Sequence, residues 1–561
     1  MSLDHYYKLA ITPLSPVHLG TGSDYEPTGY VIDDGALYEF DDLGALRVLP
    51  VSGRRDLDRI LSGRATPEML RAVQAFFHQN RERLIAVSRK QVRVNPTVEA
   101  FYAERVGKVA QHETGGRKVQ NRLEIERTAW NPTSGVPILP GSGLKGAIRT
   151  ALLDAVNNGR RLDPELKNDR QANRKLQENI FQGKFHTDPM RLVRLGDASP
   201  AEEQHMPTQV FFALNRKKRP VEKNGSLVQS QAEQKGLYQL LECLPPMHPR
   251  AFAGTLVIQG LGGIERSDKT PRRRFSRDDI ADACNAFYHP ILERELELLR
   301  NRAFIDESWA KSLETLLTSF APRLNKGRAF LLRVGRHSGA ESVTLTGLPR
   351  RIKIIKGKGE KPDYLDHAKT VWLAGHERQA QRGLLPFGWL LVEVCAEDEN
   401  LPDWPGFPAK DDQQEWRESV DQRVGEARRA IDEELERERE QARQQRKAEE
   451  EALREREEKE RALKAAKANL PEDAAWVVER CLSGEWSDQN RFMSDLETFL
   501  SETETLTEEA YRRVATEISD RWKGILEDPD AVQGKKKKPK YKPRPKDLAK
   551  RLLALRFGTS G

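Results

Sequence analysis

Ile138-Leu139-Pro140-Gly141-Ser142-Gly143-Leu144-Lys145-Gly146-Ala147-Ile148-Arg149-Thr150 decides how this chain is read, because an extended segment turns there into a helix under three glycines and beside two cations. From Leu144 the apolar positions Ala147, Ile148, Ala151, Leu152 and Ala155 recur at helical spacing, a stripe suited to packing on a sheet. Asn157-Asn158-Gly159 ends the helix. Lys145 and Arg149 lie four apart on one face near the N-terminus, where free N–H groups and the helix dipole favour an anion. A phosphate fits that corner. The same glycines are equally consistent with a plain tight turn flanked by solvated cations. Gly141, Gly143 and Gly146 also satisfy the spacing of a dinucleotide-binding turn, with Asp163 or Glu165 as the ribose acid. Pro140 directly before the first glycine, and no train of alternating strands and helices after it, argue against that turn.

The 561 residues allow two to four domains, and a formal charge of +7 mildly favours an anionic partner. Cys243, Cys284, Cys395 and Cys481 form no Cys-x-x-Cys pair, which argues against a zinc ribbon or a disulfide framework and for a reducing cytosol. Met1 to Tyr7 carries no signal pattern, and no long uninterrupted apolar run occurs. The expectation is a soluble, cytoplasmic chain with no membrane partner, no cofactor and no metal site.

Lys8 to Leu19 reads as a strand with a proline bend, leading into His18-Leu19-Gly20-Thr21-Gly22-Ser23, a glycine-spaced loop whose backbone can approach a ligand. Tyr30–Asp33 and Ala36–Phe40 flank Asp34-Gly35, a two-residue hairpin signal. Thr66, Pro67 and Glu68 open a helix with Leu70, Val73, Phe77, Leu84 and Ile85 as its apolar stripe. Residues 87 to 127 are basic and polar, with His112–Lys118 as an exposed loop and Leu123–Arg127 as a strand; 162 to 178 reads as a charged, peripheral helical insert. Strand-like runs follow at Gln209–Leu214, Gly236–Leu241 and Gly254–Ile258. Asn215–Pro220 is a basic hairpin or loop, either solvated or tracking a phosphate backbone, and Lys269–Arg274 is another. A helical pair runs from Asp278-Asp279 to about Pro322. Arg328–Val334 is then a strand entering a second basic glycine loop, Gly335-Arg336-His337-Ser338-Gly339. Strands Val371–Leu373 and Trp389–Val394 close a body ending near Pro408. Such alternation marks an α+β chain.

Beyond it, Asp411 to Ala468 opens on a weak heptad, Val420, Val424, Ile431 and Leu435, and from Glu436 to Arg461 is almost wholly Glu, Arg, Gln and Lys, which predicts a long charged helix held by i,i+4 ion pairs. Leu470 to Leu526 holds enough apolar residues, Trp476, Trp486, Phe492 and Leu496 among them, for a small helical bundle. Lys535–Lys546 is a basic, proline-punctuated tail before a last amphipathic helix, either an electrostatic arm for nucleic acid or a disordered linker, with Tyr541 as a candidate stacking ring. The expected domains are 1–408, a body with helical inserts near 55–90, 160–185 and 278–322; 409–468, a charged arm; 469–530, a bundle; and 531–561, the tail and terminal helix.

Three segments stand in a telling order: Pro16-Val17-His18-Leu19-Gly20-Thr21-Gly22, then Leu139 to Thr150, then Leu332-Arg333-Val334-Gly335-Arg336-His337-Ser338-Gly339. Together they resemble the RAMP superfamily of type III CRISPR systems, most closely the family of fifth subunits of type III-A (Csm) effector complexes, over about residues 5 to 396. The resemblance does not reach the charged arm or tail. It implies ferredoxin-like (RRM-like) α+β domains with helical insertions, whose glycine-rich loops border RNA. It further implies a non-catalytic subunit that caps the backbone at the 3′ end of the CRISPR RNA and assists its maturation in antiviral defence. The implied partners are CRISPR RNA, the neighbouring backbone RAMP subunit and other Csm subunits, and maturation nucleases. The implied RNA contacts are Gly141, Ser142, Gly143, Lys145 and Arg149 centrally, with His18, Gly20 and Gly22 before them and Arg333, Arg336 and His337 after. No RNP aromatic signature is present, which favours recognition of backbone and shape. The rival reading is a metal-independent RAMP endoribonuclease with His18 as acid or base beside Lys145; a lone histidine after a strand is more often structural, and Asp33 and Asp34 belong to the hairpin. A third reading makes the charged arm a scaffold that recruits maturation nucleases.

Overall fold

His5–Pro13 is the spine of one sheet because its second half, Leu9 to Pro13, is buried on both faces. It pairs antiparallel with Phe252–Ile258 on one side and Trp389–Ala396 on the other. Val193–Leu195 and Ser199–Pro200 extend the first side, and Ala329–Arg333 extends the second. The helices Gly141–Asn157 and Arg277–Asn301 pack on each other and on these strands. Leu144, Ala147, Ile148, Ala151 and Leu152 are buried as the helical period requires, while Ala155 is exposed. Asn158, in the left-handed region at φ 49°, stops the helix.

This is a computed structural model, and it describes every residue except 1–3, 109–110, 114–116, 120–122, 162–169, 202–205, 224–225, 229–236, 261–269, 355–360, 406–411 and 558–561. Asp163 and Glu165, the start of the charged insert and Lys269 therefore lie outside the described residues. The chain divides into two compact units, Met1–Asp432 and Glu433–Gly561.

The first unit holds a second sheet, in the order Gly20–Tyr25, Ile125–Thr128, Tyr238–Cys243, Gln209–Lys217, Lys90–Arg93, Ala36–Glu39 and Tyr30–Asp33, with Thr370–Gly375 also on Gln209–Lys217. Two of its pairings are parallel and the rest antiparallel. The result is a mixed α/β fold. Asp34 and Gly35, at φ 47° and 72°, make the hairpin turn as their types require. Thr66 caps the helix Pro67–Gln79 by accepting from the Met69 N–H at 3.2 Å.

Several expectations change. The helix from Pro67 stops at Asn80 and a separate one spans Arg81–Ala86, leaving Leu70 49% exposed rather than in the stripe. Within the stretch taken as basic and polar, Asn95 caps Thr97 and Val98 and Pro96 opens the helix Pro96–Arg105. Of the expected loop at His112–Lys118, the two ends belong to strands, Gln111–Glu113 pairing with Arg117–Val119, and 114–116 lie outside the described residues. Asn215 and Arg216 are not a projecting loop: the strand runs on to Lys217, and the Arg216 guanidinium, 1% exposed, donates to the carbonyls of Asn215 and Ala380. Pro322 lies inside the helix Glu307–Asn325.

Asp412–Lys467 is one helix. Its first turns belong to the first unit, since Trp416 Nε1 donates to the Gly35 carbonyl at 3.2 Å, Arg428 Nε to the Ala86 carbonyl at 2.9 Å, and Arg423 pairs with Asp33 and Glu82. The second unit has its own core around Val477, Trp486, Phe492, Leu496, Val514 and Leu548. Tyr541 belongs to that core, its hydroxyl donating to the Lys523 carbonyl at 2.6 Å, so it is not a free ring for a base. Among the described residues no helix is long and apolar enough to cross a membrane, and no group of three His, Cys, Asp or Glu could hold a metal ion.

Candidate nucleic-acid interface

The three glycine segments meet at Leu19. Arg336 N donates to the His18 carbonyl at 2.9 Å, and a Cβ on Gly335 would stand 2.2 Å from that same oxygen. The Leu19 side chain lies 3.5 Å from that position and 3.4 Å from where a Cβ on Gly143 would be. Gly388 N completes the joint by donating to the Pro16 carbonyl at 2.9 Å. Gly20 and Gly22, just beyond Leu19, are exposed on a strand paired to Ile125–Thr128.

The central motif differs from the expected loop: Gly141, Ser142 and Gly143 are the first turn of the helix itself, with Pro140 at its cap. Glycine is required at 141 because a Cβ there would sit 2.5 Å from the Leu195 carbonyl and 2.6 Å from that of Gly196. Gly141 N donates to Asp197 Oδ1 at 2.7 Å, so a carboxylate already occupies the corner assigned to a phosphate. Ser142 remains exposed and Gly143 partly so.

The two cations of the motif also part company. Arg149 clamps Asp188 with both terminal nitrogens, at 3.0 and 2.6 Å, donates Nε to Gln177 and lies over the Phe181 ring. It therefore ties neighbouring segments together, with its charge matched. Lys145 is half-buried; burial lowers its amine pKa, Arg149 and Arg194 add to that, and Asp188 opposes. Arg194 was missed from sequence: it is exposed on the strand Val193–Leu195, whose alternation with buried Val193 was the available signal. Phe185 was missed too. It is 71% exposed beside Arg149 and Lys184 at a cleft of about 470 Å³, with a π-face on which a base can stack.

The late loop needs more correction. Arg333 is buried, paired to Glu295 at 2.7 Å, donating to the Phe387 carbonyl and lying over Trp389, so it builds the core and cannot meet RNA. Arg336 is 40% exposed and bound to Glu126, which a phosphate would have to displace. His337 stacks on Trp372 at 4.7 Å and bonds Gln239 at 2.9 Å; burial, with Arg336 and His18, pushes its pKa down to about 3. His18 is fully buried, donating from Nδ1 to the Glu242 carbonyl at 2.7 Å, and burial lowers its pKa as well. Two neutral imidazoles are not phosphate cations, and His18 is joined to Glu242 rather than to Lys145.

The depressed histidines set a pH dependence. Unfolding lets both take up a proton near the ordinary value of 6.5, so their stability contribution is complete above that pH and is lost as pH falls. The limiting slope is about 1.4 kcal/mol per pH unit per histidine. Thermal melts between pH 7.5 and 5 should show the first unit weakening on acidification, and His337→Asn should flatten the trend. An unchanged slope in that variant would contradict the assignment.

The comparisons follow this geometry. A family profile described as the RAMP superfamily matches residues 10–320, more than half of the chain. "CRISPR system Cms protein Csm5" of Streptococcus thermophilus is 25% identical over 225 residues, covering 36% of this chain and 53% of the relative. The chain thus spans about half the length of the curated relative it matches. Among solved structures, a chain of the cryo-EM Csm-crRNA-target RNA ternary complex in a type III-A CRISPR-Cas system gives a TM-score of 0.41 at 16% identity, covering 70% of this chain and 100% of that one. The crystal structure of T. onnurineus Csm5 gives 0.37 at 16% identity, covering 68% and 99%. A profile match that spans the first and central glycine segments, which the fold joins at Leu19, settles the family: the chain belongs to the RAMP superfamily.

Proposed function

We propose that this chain is a non-catalytic, RNA-binding subunit of a type III-A CRISPR effector, seated beside a neighbouring RAMP subunit at the 3′ end of the CRISPR RNA and assisting its maturation. The observation that carries the reading is the junction at Leu19, whose side chain reaches both Gly143 and Gly335, next along the chain to exposed Gly20 and Ser142 and partly exposed Lys145. The likeness to Csm5 supports the choice of complex. The strand order of the first sheet, with a helix after the first strand and another before Ala329–Arg333, is compatible with a ferredoxin-like core. Exposed main chain, one hydroxyl and two incompletely matched cations, Lys145 and Arg194, favour a grip on the sugar-phosphate backbone that ignores sequence. Buried, neutral histidines with structural partners weigh against the ribonuclease reading. Cutting of CRISPR RNA by the purified chain, abolished by His18→Ala, would overturn that part.

The binding test is Lys145→Gln combined with Arg194→Gln. Affinity for CRISPR RNA at physiological salt is expected to fall about tenfold, and the slope of log affinity against log salt to shrink by about 1.4, equally for unrelated spacers. Wild-type affinity and slope in the double variant would remove the central helix from the interface.

A further inference from the structure

Lys535-Lys536-Lys537-Lys538-Pro539-Lys540-Tyr541-Lys542 forms an ordered hairpin in the second unit, outside the residues matched to the RAMP superfamily. Val532–Gln533 pairs antiparallel with Lys538–Pro539, and Gly534–Lys536 makes one tight helical turn between them. Its base is fixed by Lys540 N donating to the Ala531 carbonyl at 2.9 Å and by the buried Tyr541. Pro545, Leu548, Ala549 and Leu552 then pack the following helix into the core. The backbone is held while Lys535, Lys536, Lys537, Lys538, Lys540 and Lys542 all stay exposed. Eight cations and no carboxylate occur from Gly534 through Lys546, Lys546 included. The acids that approach are committed elsewhere, Asp530 to Lys546 and Lys550 and Glu497 to Arg544. Among the described residues, Lys535 to Lys538 have no ion-pair partner.

Two features of the hairpin work against the stability of the free protein. Four consecutive lysines with no acid among them carry like charges that repel at physiological salt, where the Debye length is about 8 Å. Lys537 adopts a left-handed φ of 44°, which strains a side chain and not a glycine. A polyanion relieves the repulsion, and the tight turn holds the four charges together before it arrives. We propose that this hairpin is a second nucleic-acid surface that grips the phosphodiester backbone of a duplex. A duplex carries one charge per about 1.7 Å of axis, so each lysine that meets it releases more condensed counterion than it would from a single strand. A single strand is disfavoured because the hairpin's one aromatic ring, Tyr541, is turned into the core and offers no base a platform.

The test uses the full chain and a short fluorescein-labelled DNA duplex, read by anisotropy over a salt series. Replacing Lys535, Lys536, Lys537 and Lys538 together by glutamine should weaken duplex binding at least tenfold and reduce the salt slope by about 3.6, about 0.9 for each of four phosphate contacts, while four arginines should retain it. The glutamine variant should melt no lower than the parent, since among the described residues those side chains make no ion pair to lose. Parental duplex affinity in the glutamine variant would overturn the proposal. So would a glutamine variant that lost more affinity for a single strand of equal charge, or for phosphatidylserine vesicles, than for the duplex.

Discussion

Gly335→Ala is expected to destabilise the first unit by about 3–5 kcal/mol, one of the largest effects available to a single methyl group in this protein. Two costs add. At φ 79° any side chain is strained, which contributes about 1–3 kcal/mol. The new Cβ would also stand 2.2 Å from the His18 carbonyl oxygen, an immobile acceptor that already takes the Arg336 N–H, so the loop must lift. Gly22 separates the costs. It has almost the same φ, 81°, with nothing within 4 Å of a built Cβ, so Gly22→Ala should show only the dihedral cost. Thermal melts of the two variants, compared with RNA affinity, check the argument. Gly335→Ala should lower both by moving the late loop off Leu19. Equal melting shifts in the two variants would mean that the close approach to His18 contributes nothing.

What the sequence made legible was what leaves a local mark. Asp34-Gly35 announces two positive φ angles, Thr66-Pro67 announces a cap and a first turn, and Leu144 to Leu152 announces a buried helical face. Asn95-Pro96 announced a helix just as plainly and was passed over because the surrounding composition is polar. The site residues fared worse for a physical reason. Whether a cation is free depends on the acid that folding brings beside it, and those acids are remote in sequence: Glu295 for Arg333, Asp188 for Arg149, Glu126 for Arg336. Likewise, nothing beside His337 in the sequence foretells Trp372 or Gln239. Glycines declare backbone geometry locally. Charges declare nothing until their partners arrive, which is why three segments that the fold joins at Leu19 can be grouped from their glycines while the state of their cations cannot be read. Arg194 and Phe185 are the converse case, unremarkable in sequence and exposed in the fold beside the motif.

Glu242→Gln should show how much of the interface rests on a group that touches no RNA. Its carboxylate is completely buried and accepts from Lys90 Nζ at 2.6 Å, Thr208 Oγ1 at 2.6 Å and Thr128 N at 3.1 Å. Lys90, whose side chain is 11% exposed, has no other anion among its described contacts; its further neighbours are the Tyr25 and Trp130 rings. Glutamine keeps the shape and an oxygen for Thr128 N but strands the ammonium, a loss on the order of 3–5 kcal/mol because a buried charge loses its counterion. Adding Lys90→Met removes that charge and should bring stability back to within about 1–2 kcal/mol of wild type, since removing both charges of a buried pair is often close to neutral. The consequence reaches the site through the backbone. The Glu242 carbonyl holds His18 Nδ1, and Thr128 Oγ1 accepts from Leu19 N at 3.1 Å, so the same residue positions both neighbours in the junction. RNA affinity should therefore fall in Glu242→Gln and recover in the double variant, in step with the melting temperature. A double variant as unstable as Glu242→Gln would show that shape and hydrogen bonding, and not the buried charge pair, hold Leu19 in place.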